Sequence, residues 1–198
     1  MLLYLHGFNS APSSTKATQV ARYLARHHPN EPVAIPHLAT APNRARDQIL
    51  PLAASALKTG EPLRLMGSSL GGYLASFLLE SLVAEVGEGD LRAVLINPAV
   101  RPYELLADYI GEQENPYTGE RYRVEAEHMG QLQALDTPVL AQPERYLVLL
   151  QTGDEVLDYR QAETKYRQSE LRIERGGDHS FQGFEQRLPE AMAFLGLA

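Results

Sequence analysis

The chain has 198 residues, 44% hydrophobic and 22% charged. This balance excludes a disordered or fibrous protein and fits one compact domain over 1–198 with its own core. Lys+Arg 18 against Asp+Glu 25 give a net charge of −7, and cysteine is absent. Nucleic acid and anionic membranes are therefore disfavoured partners, and disulfides, thiolate metal sites and a Cys nucleophile are excluded.

The chain opens on an apolar run, Leu2–Leu5, which reads as a buried strand ending at His6-Gly7. No basic segment precedes it, and no stretch approaches the roughly 18 apolar residues of a spanning helix. A cytoplasmic protein without leader or anchor is expected. Ser13 and Ser14 are expected to cap a helix whose Ala17, Val20, Ala21 and Leu24 keep helical spacing until Pro29. Residues 33–36 read as strand. Residues 44–58 read as a helix with Ile49, Leu52, Ala53 and Ala56 on one face, kinked or started by Pro51. Residues 63–67 are strand, and 70–86 a helix closed by Gly87. Residues 91–96 are strand, closed by Asn97-Pro98.

Residues 99–145 break this rhythm. The spacing predicts a helix over 103–110 with Pro102 at its first position, a turn-rich stretch over 115–119, and a helix over 125–135. Inserts of this length in a compact domain are usually functional, so 99–145 reads as a cap over a site. The alternation resumes with strands over 146–150 and 171–174 and helices over 159–168 and 184–195, the last containing Pro189. Six strands separated by helices predict a mainly parallel sheet covered on both faces. In such sheets the chemistry sits in loops that follow strands.

Gly67-Ser68-Ser69-Leu70-Gly71-Gly72 holds G-x-S-x-G in one register, with Ser69 central between Gly67 and Gly71. A chance match in a chain this long has an expectation of about 0.06. A strand enters the motif and a helix leaves it, the sharp turn that presents a serine hydroxyl at a sheet edge. As a nucleotide loop the segment lacks the middle Gly of G-x-G-x-x-G, a following strand ending in Asp or Glu, and the G-K-[ST] of a P-loop.

A serine hydroxyl needs a base and an acid that orients the base, here in the chain order Ser, Asp/Glu, His. Of six His, only His179 follows the last strand in a loop, Gly176-Gly177-Asp178-His179-Ser180. His6 reads as a structural residue that holds its loop. The acid belongs in the loop after residues 146–150. Asp154, directly after Gly153, is the first candidate; Asp158, which also reads as a helix N-cap, is the alternative. The oxyanion needs two backbone donors: the N–H of Leu70, after the serine, and that of Phe8, in the loop after the first strand. No H-x-x-x-H or H-E-x-x-H spacing exists, so no metal site is expected.

Together these residues resemble an α/β-hydrolase over nearly the whole chain. The strings Leu3–Ser10, Gly67–Gly72, Asn97–Pro102, Glu114–Gly119, Thr152–Tyr159 and the Gly-Gly-x-His loop are similar to the small bacterial YqiA-type esterases. The resemblance implies a three-layer sheet of about six strands, trimmed of the first two strands of the full fold. It implies a serine esterase of short or medium acyl esters with nucleophile Ser69, acid Asp154 and base His179. A small-molecule acyl ester is the expected partner, and the acyl-enzyme route needs no cofactor. Two alternatives stand beside it. One is an acyl-CoA thioesterase, for which Arg101, Arg121 and Arg123 could offset the negative charge. The other is a non-catalytic binding protein on a hydrolase scaffold. Nothing in the sequence sets an oligomeric state.

Overall fold

The computed structural model describes residues 1–60, 62–85 and 91–197. Six parallel strands form one sheet: β1 (Leu2–Leu5), β2 (Val33–Ala34), β3 (Leu63–Ser68), β4 (Leu91–Ile96), β7 (Tyr146–Gln151) and β8 (Glu170–Glu174). Their order is β2-β1-β3-β4-β7-β8. Period-two alternation along buried strands divides the core. Leu3, Leu5, Leu65, Leu95 and Val148 face one side, against α2 (Pro42–Lys58), α3 (Leu70–Leu82) and α6 (Tyr159–Lys165). Leu2, Tyr4, Met66, Val94 and Leu149 face the other, against α1 (Thr15–His27) and α7 (Phe184–Phe194). The result is the three-layer α/β arrangement expected from the alternation.

After β1 the chain crosses by α1 to β2 at one edge; after β2 it returns by α2 on the opposite face to β3. The connections thus diverge between β1 and β3, which opens a crevice at the carboxyl ends of those strands.

Several boundaries differ from the sequence reading. Ser14 holds the N-cap position of α1, but its side chain makes no capping hydrogen bond. The α2 helix starts at Pro42 and runs through Pro51, and α7 runs through Pro189. Both prolines face solvent, where water can satisfy the carbonyl each leaves unpaired. The α3 helix ends at Leu82 and tightens into a 3-10 turn, Val83–Glu85. The expected last residue, Val86, and the Gly87 stop lie outside the described residues.

The insert is more varied than two helices. The helix expected over 103–110 is α4 (Pro102–Leu105) followed by a 3-10 turn, Leu106–Tyr109. The turn-rich stretch is the tip of an antiparallel hairpin, β5 (Gly111–Glu114) and β6 (Arg121–Val124). The ion pairs Glu112–Arg123 and Glu114–Arg121 join directly opposed residues of this hairpin. Helix α5 (Glu127–Gln133) then packs against α4 and α2 and buries Leu132 in the core.

The start of α3 is pressed onto the end of β1. A Cβ on Gly71 would lie 1.9 Å from the Leu5 carbonyl oxygen and 2.7 Å from that of His6. Gly71→Ala is therefore expected to lower the unfolding free energy by about 1–3 kcal/mol. Gly130→Ala, in α5, meets nothing within 4 Å and should raise it by up to about 1 kcal/mol. Urea midpoints measure both, and equal midpoints for the two variants would contradict this packing.

Candidate active site

Ser69 sits at the junction of β3 and α3 with φ 55° and ψ −122°, a region that L residues rarely adopt. The surrounding chain holds it there. Its N–H donates to Ile96 O (3.1 Å), and its carbonyl accepts from Gly72 N (3.0 Å) and Ala99 N (3.1 Å). A Cβ on Gly67 would lie 2.3 Å from Gly71 O, so the turn closes only with glycine there. The neighbouring Ser68 is buried, and its Oγ accepts a hydrogen bond from the Tyr4 hydroxyl (3.3 Å).

The loop after β8 brings His179 to Ser69. Nε2 of His179 lies 3.1 Å from Ser69 Oγ, and Nδ1 lies 3.0 and 2.9 Å from the two carboxylate oxygens of Asp154. A carboxylate only accepts, so Nδ1 carries the proton and Nε2 presents a lone pair to the hydroxyl. The Asp154 side chain is 2% exposed. Its Oδ1 also accepts from the N–H groups of Val156 and Leu157, which fixes the carboxylate before it meets the ring. Asp158 lies elsewhere: it caps α6 through Arg160 N–H (3.1 Å) and pairs with the Arg160 side chain, which holds its carboxyl below the usual range. Glu155 accepts from the backbone N–H of His179 (3.0 Å), and Asp178 bonds Gln182 rather than the ring.

The loop Gly7–Ser10 lies against the serine; a Cβ on Gly7 would sit 3.2 Å from Ser69 Cβ. His6 holds this loop from behind. Its Nε2 accepts from Leu38 N–H (3.1 Å), which leaves the Nδ1 proton for Gly7 O (3.0 Å). Burial pushes its pKa down, consistent with a neutral ring. The N–H groups of Phe8 and Leu70 have no hydrogen-bond partner among the described residues. A cleft of about 530 Å³ opens beside Ser69 and His179, with Phe8, Lys16, Tyr117 and Gln186 in its walls. A smaller, mainly apolar pocket of about 50 Å³ shares Phe8 with this cleft and is lined by Leu70, Leu74 and Leu132, with Asn115 and Tyr122 also in its wall.

The insert is tied to the same loop. Asn115 Nδ2 donates to Ser10 O (2.9 Å), and the Tyr122 hydroxyl donates to Asn9 Oδ1. Burial pushes the Tyr122 hydroxyl up to about 12, so it remains a donor at neutral pH. Arg101, Arg121 and Arg123 each face a glutamate: Glu104, Glu114 and Glu112 respectively. Among the described residues no group of three His, Asp or Glu is placed to hold a metal ion, and no helix is long and apolar enough to cross a membrane.

Sequence reasoning missed two buried amides beside the site, Asn97 and Gln151, each 3% exposed. Asn97 Oδ1 accepts from Gln151 N–H, and Gln151 Oε1 accepts from the N–H groups of Asp178 and Gln182. The available signal was a polar residue directly after each of two apolar runs, residues 93–96 and 146–150.

Residues 1–196 match the family described as "Uncharacterised protein family (UPF0227)". Solved structures resemble the chain at low identity. A protein from Agrobacterium vitis S4 is 19% identical, with a TM-score of 0.72 over 98% of this chain and 87% of that one. Est1E from Butyrivibrio proteoclasticus, solved with ferulic acid bound, is 14% identical, with a TM-score of 0.70 over 98% and 86%. Mouse alpha/beta hydrolase domain-containing protein 10 is 14% identical, with a TM-score of 0.68 over 97% and 87%. With the parallel sheet and the strand–serine–helix turn, these matches show an α/β-hydrolase fold, and the chain belongs to the UPF0227 family, the YqiA-type family.

Proposed function

We propose that this protein is a serine carboxylic-ester hydrolase acting on short or medium acyl esters. The observation that carries the reading is the bridging position of His179, in hydrogen-bond reach of both Ser69 Oγ and the buried Asp154 carboxylate. Ser69 Oγ attacks the acyl carbonyl carbon while His179 Nε2 takes the hydroxyl proton. Asp154 holds the Nδ1–H tautomer and stabilises the imidazolium. The N–H groups of Phe8 and Leu70 receive the charge that develops on the carbonyl oxygen. Collapse of the tetrahedral intermediate breaks the ester C–O bond, and His179 returns the proton to the leaving alkoxide. Water then attacks the acyl-enzyme with His179 again as base, releasing the carboxylic acid and restoring Ser69. No cofactor enters these steps.

The leaving oxygen must lie next to His179 Nε2, in the wide cleft. The acyl group then points away from His179, toward the small, mainly apolar pocket lined by Phe8 and Leu70, which supports a short chain. Residues 99–145 form the cap in this reading, since Tyr117 walls the cleft and Tyr122 and Asn115 tie down the Gly7–Ser10 loop. The pairing of Arg101, Arg121 and Arg123 with glutamates weighs against a coenzyme A leaving group. The complete Ser–His–Asp geometry weighs against a binding protein without activity.

Ser69→Ala should abolish both ester hydrolysis and labelling by a fluorophosphonate probe while the protein stays folded. Labelling of that variant at the rate of the parent would refute the nucleophile. Asp154→Asn forces the wrong imidazole tautomer and should lower kcat by on the order of 10⁴-fold. Asp158→Asn should leave steady-state turnover nearly unchanged, and the reverse pattern would move the acid to Asp158.

A further inference from the structure

Beyond the three side chains that do the chemistry, we infer that Asn97 is the positioning residue that keeps nucleophile, acid and base in register. This inference rests on the hydrolase reading above and deepens it. Asn97 follows β4, the strand between β3, which carries Ser69, and β7, which leads to Asp154. Its neighbours in sequence hold the serine: Ile96 O accepts from Ser69 N–H, and Ala99 N–H donates to Ser69 O. Its side-chain oxygen accepts from Gln151 N–H (3.0 Å), the end of β7. Its side-chain amide donates to Asp178 O (3.0 Å) and reaches His179 O (3.4 Å), in the loop that carries the base. One buried side chain thus bonds the acid strand and the base loop, while its own backbone segment clasps the serine.

The residue type suits this place. Asn97 has φ 39°, a left-handed conformation that asparagine tolerates better than most L residues. Glycine would supply the backbone but no hydrogen bonds. Aspartate would keep the acceptor for Gln151 N–H but turn the donor facing two carbonyls into a third acceptor. Gln151 extends the same net: its oxygen accepts from Asp178 N–H and Gln182 N–H, and its amide donates to Glu174 and Gln182 O. The base loop is held from both its N–H and its C=O sides. Its freedom to carry His179 away from Ser69 is removed without any contact from Asn97 to the reacting atoms.

Such a residue should act on kcat and leave substrate binding alone. With p-nitrophenyl acetate, Asn97→Gly and Asn97→Asp are each expected to lower kcat about 100-fold, with KM within about threefold of the parent. The rate of Ser69 phosphonylation should fall by a comparable factor. If the glycine variant does not fold, the aspartate variant carries the test. A folded variant with parental kcat, a loss confined to KM, or misfolding of both variants would overturn the inference. An active parent beside an equally active Asn97→Gly would sink this inference alone. A parent that neither hydrolyses the ester nor reacts with the phosphonate would sink the hydrolase reading and this inference with it.

Discussion

Ser69 is held at a positive φ, a conformation that costs a non-glycine residue on the order of 1–3 kcal/mol and persists only where its surroundings over-determine it. Those surroundings account for much of the molecule. The serine N–H is bound by the end of β4, its carbonyl by the residues after β4 and by the first turn of α3. The helix can leave at the required angle only because Gly67 and Gly71 let its first turn lie on β3 and β1. The same geometry leaves the N–H of Leu70 without a partner among the described residues and aims the serine side chain into the crevice. Strain at one residue and the close packing of three strands are two sides of one arrangement.

Around that turn the sheet brings loops together that are far apart in the chain. The ends of β1, β3, β4, β7 and β8 lie along one edge, so residues near 8, 69, 97, 154 and 179 become neighbours. Rigid strands set where each loop starts, and local hydrogen bonds set where it points. His6 fixes the first loop, the N–H groups of Val156 and Leu157 fix the Asp154 carboxylate, and Asn97 and Gln151 fix the loop of His179. Lys16, from α1, adds a further tie through Ser180 O (2.8 Å). The insert joins from the opposite side through Asn115 and Tyr122. Preorganisation for the proposed reaction is thus distributed over side chains outside the Ser69, His179 and Asp154 set.

Much of this is legible in the sequence because steric demands leave marks. A turn with no room for Cβ atoms requires glycines at 67 and 71, and buried strands require apolar runs, so the elbow and the four central strands, β1, β3, β4 and β7, are readable. The hairpin of β5 and β6 leaves no such mark. Its residues, Gly-Glu-Gln-Glu and Arg-Tyr-Arg-Val, are half exposed and pair through charges, so no apolar period reveals the strands. The continuity of α2 through Pro51 is hidden for a related reason, since solvent rather than the sequence neighbours relieves the missing hydrogen bond. Asn97 and Gln151 are plain in the sequence as residues but not as parts of a site. Their role exists only once three loops have met.

In the proposed reaction an acyl group passes through Ser69. The direct test is mass spectrometry of the full chain, quenched during turnover of a slowly deacylating p-nitrophenyl ester and then digested. The acyl mass is expected on the peptide that contains Ser69. An adduct on another side chain, or turnover that proceeds with no covalent adduct at any stage, would contradict that reaction.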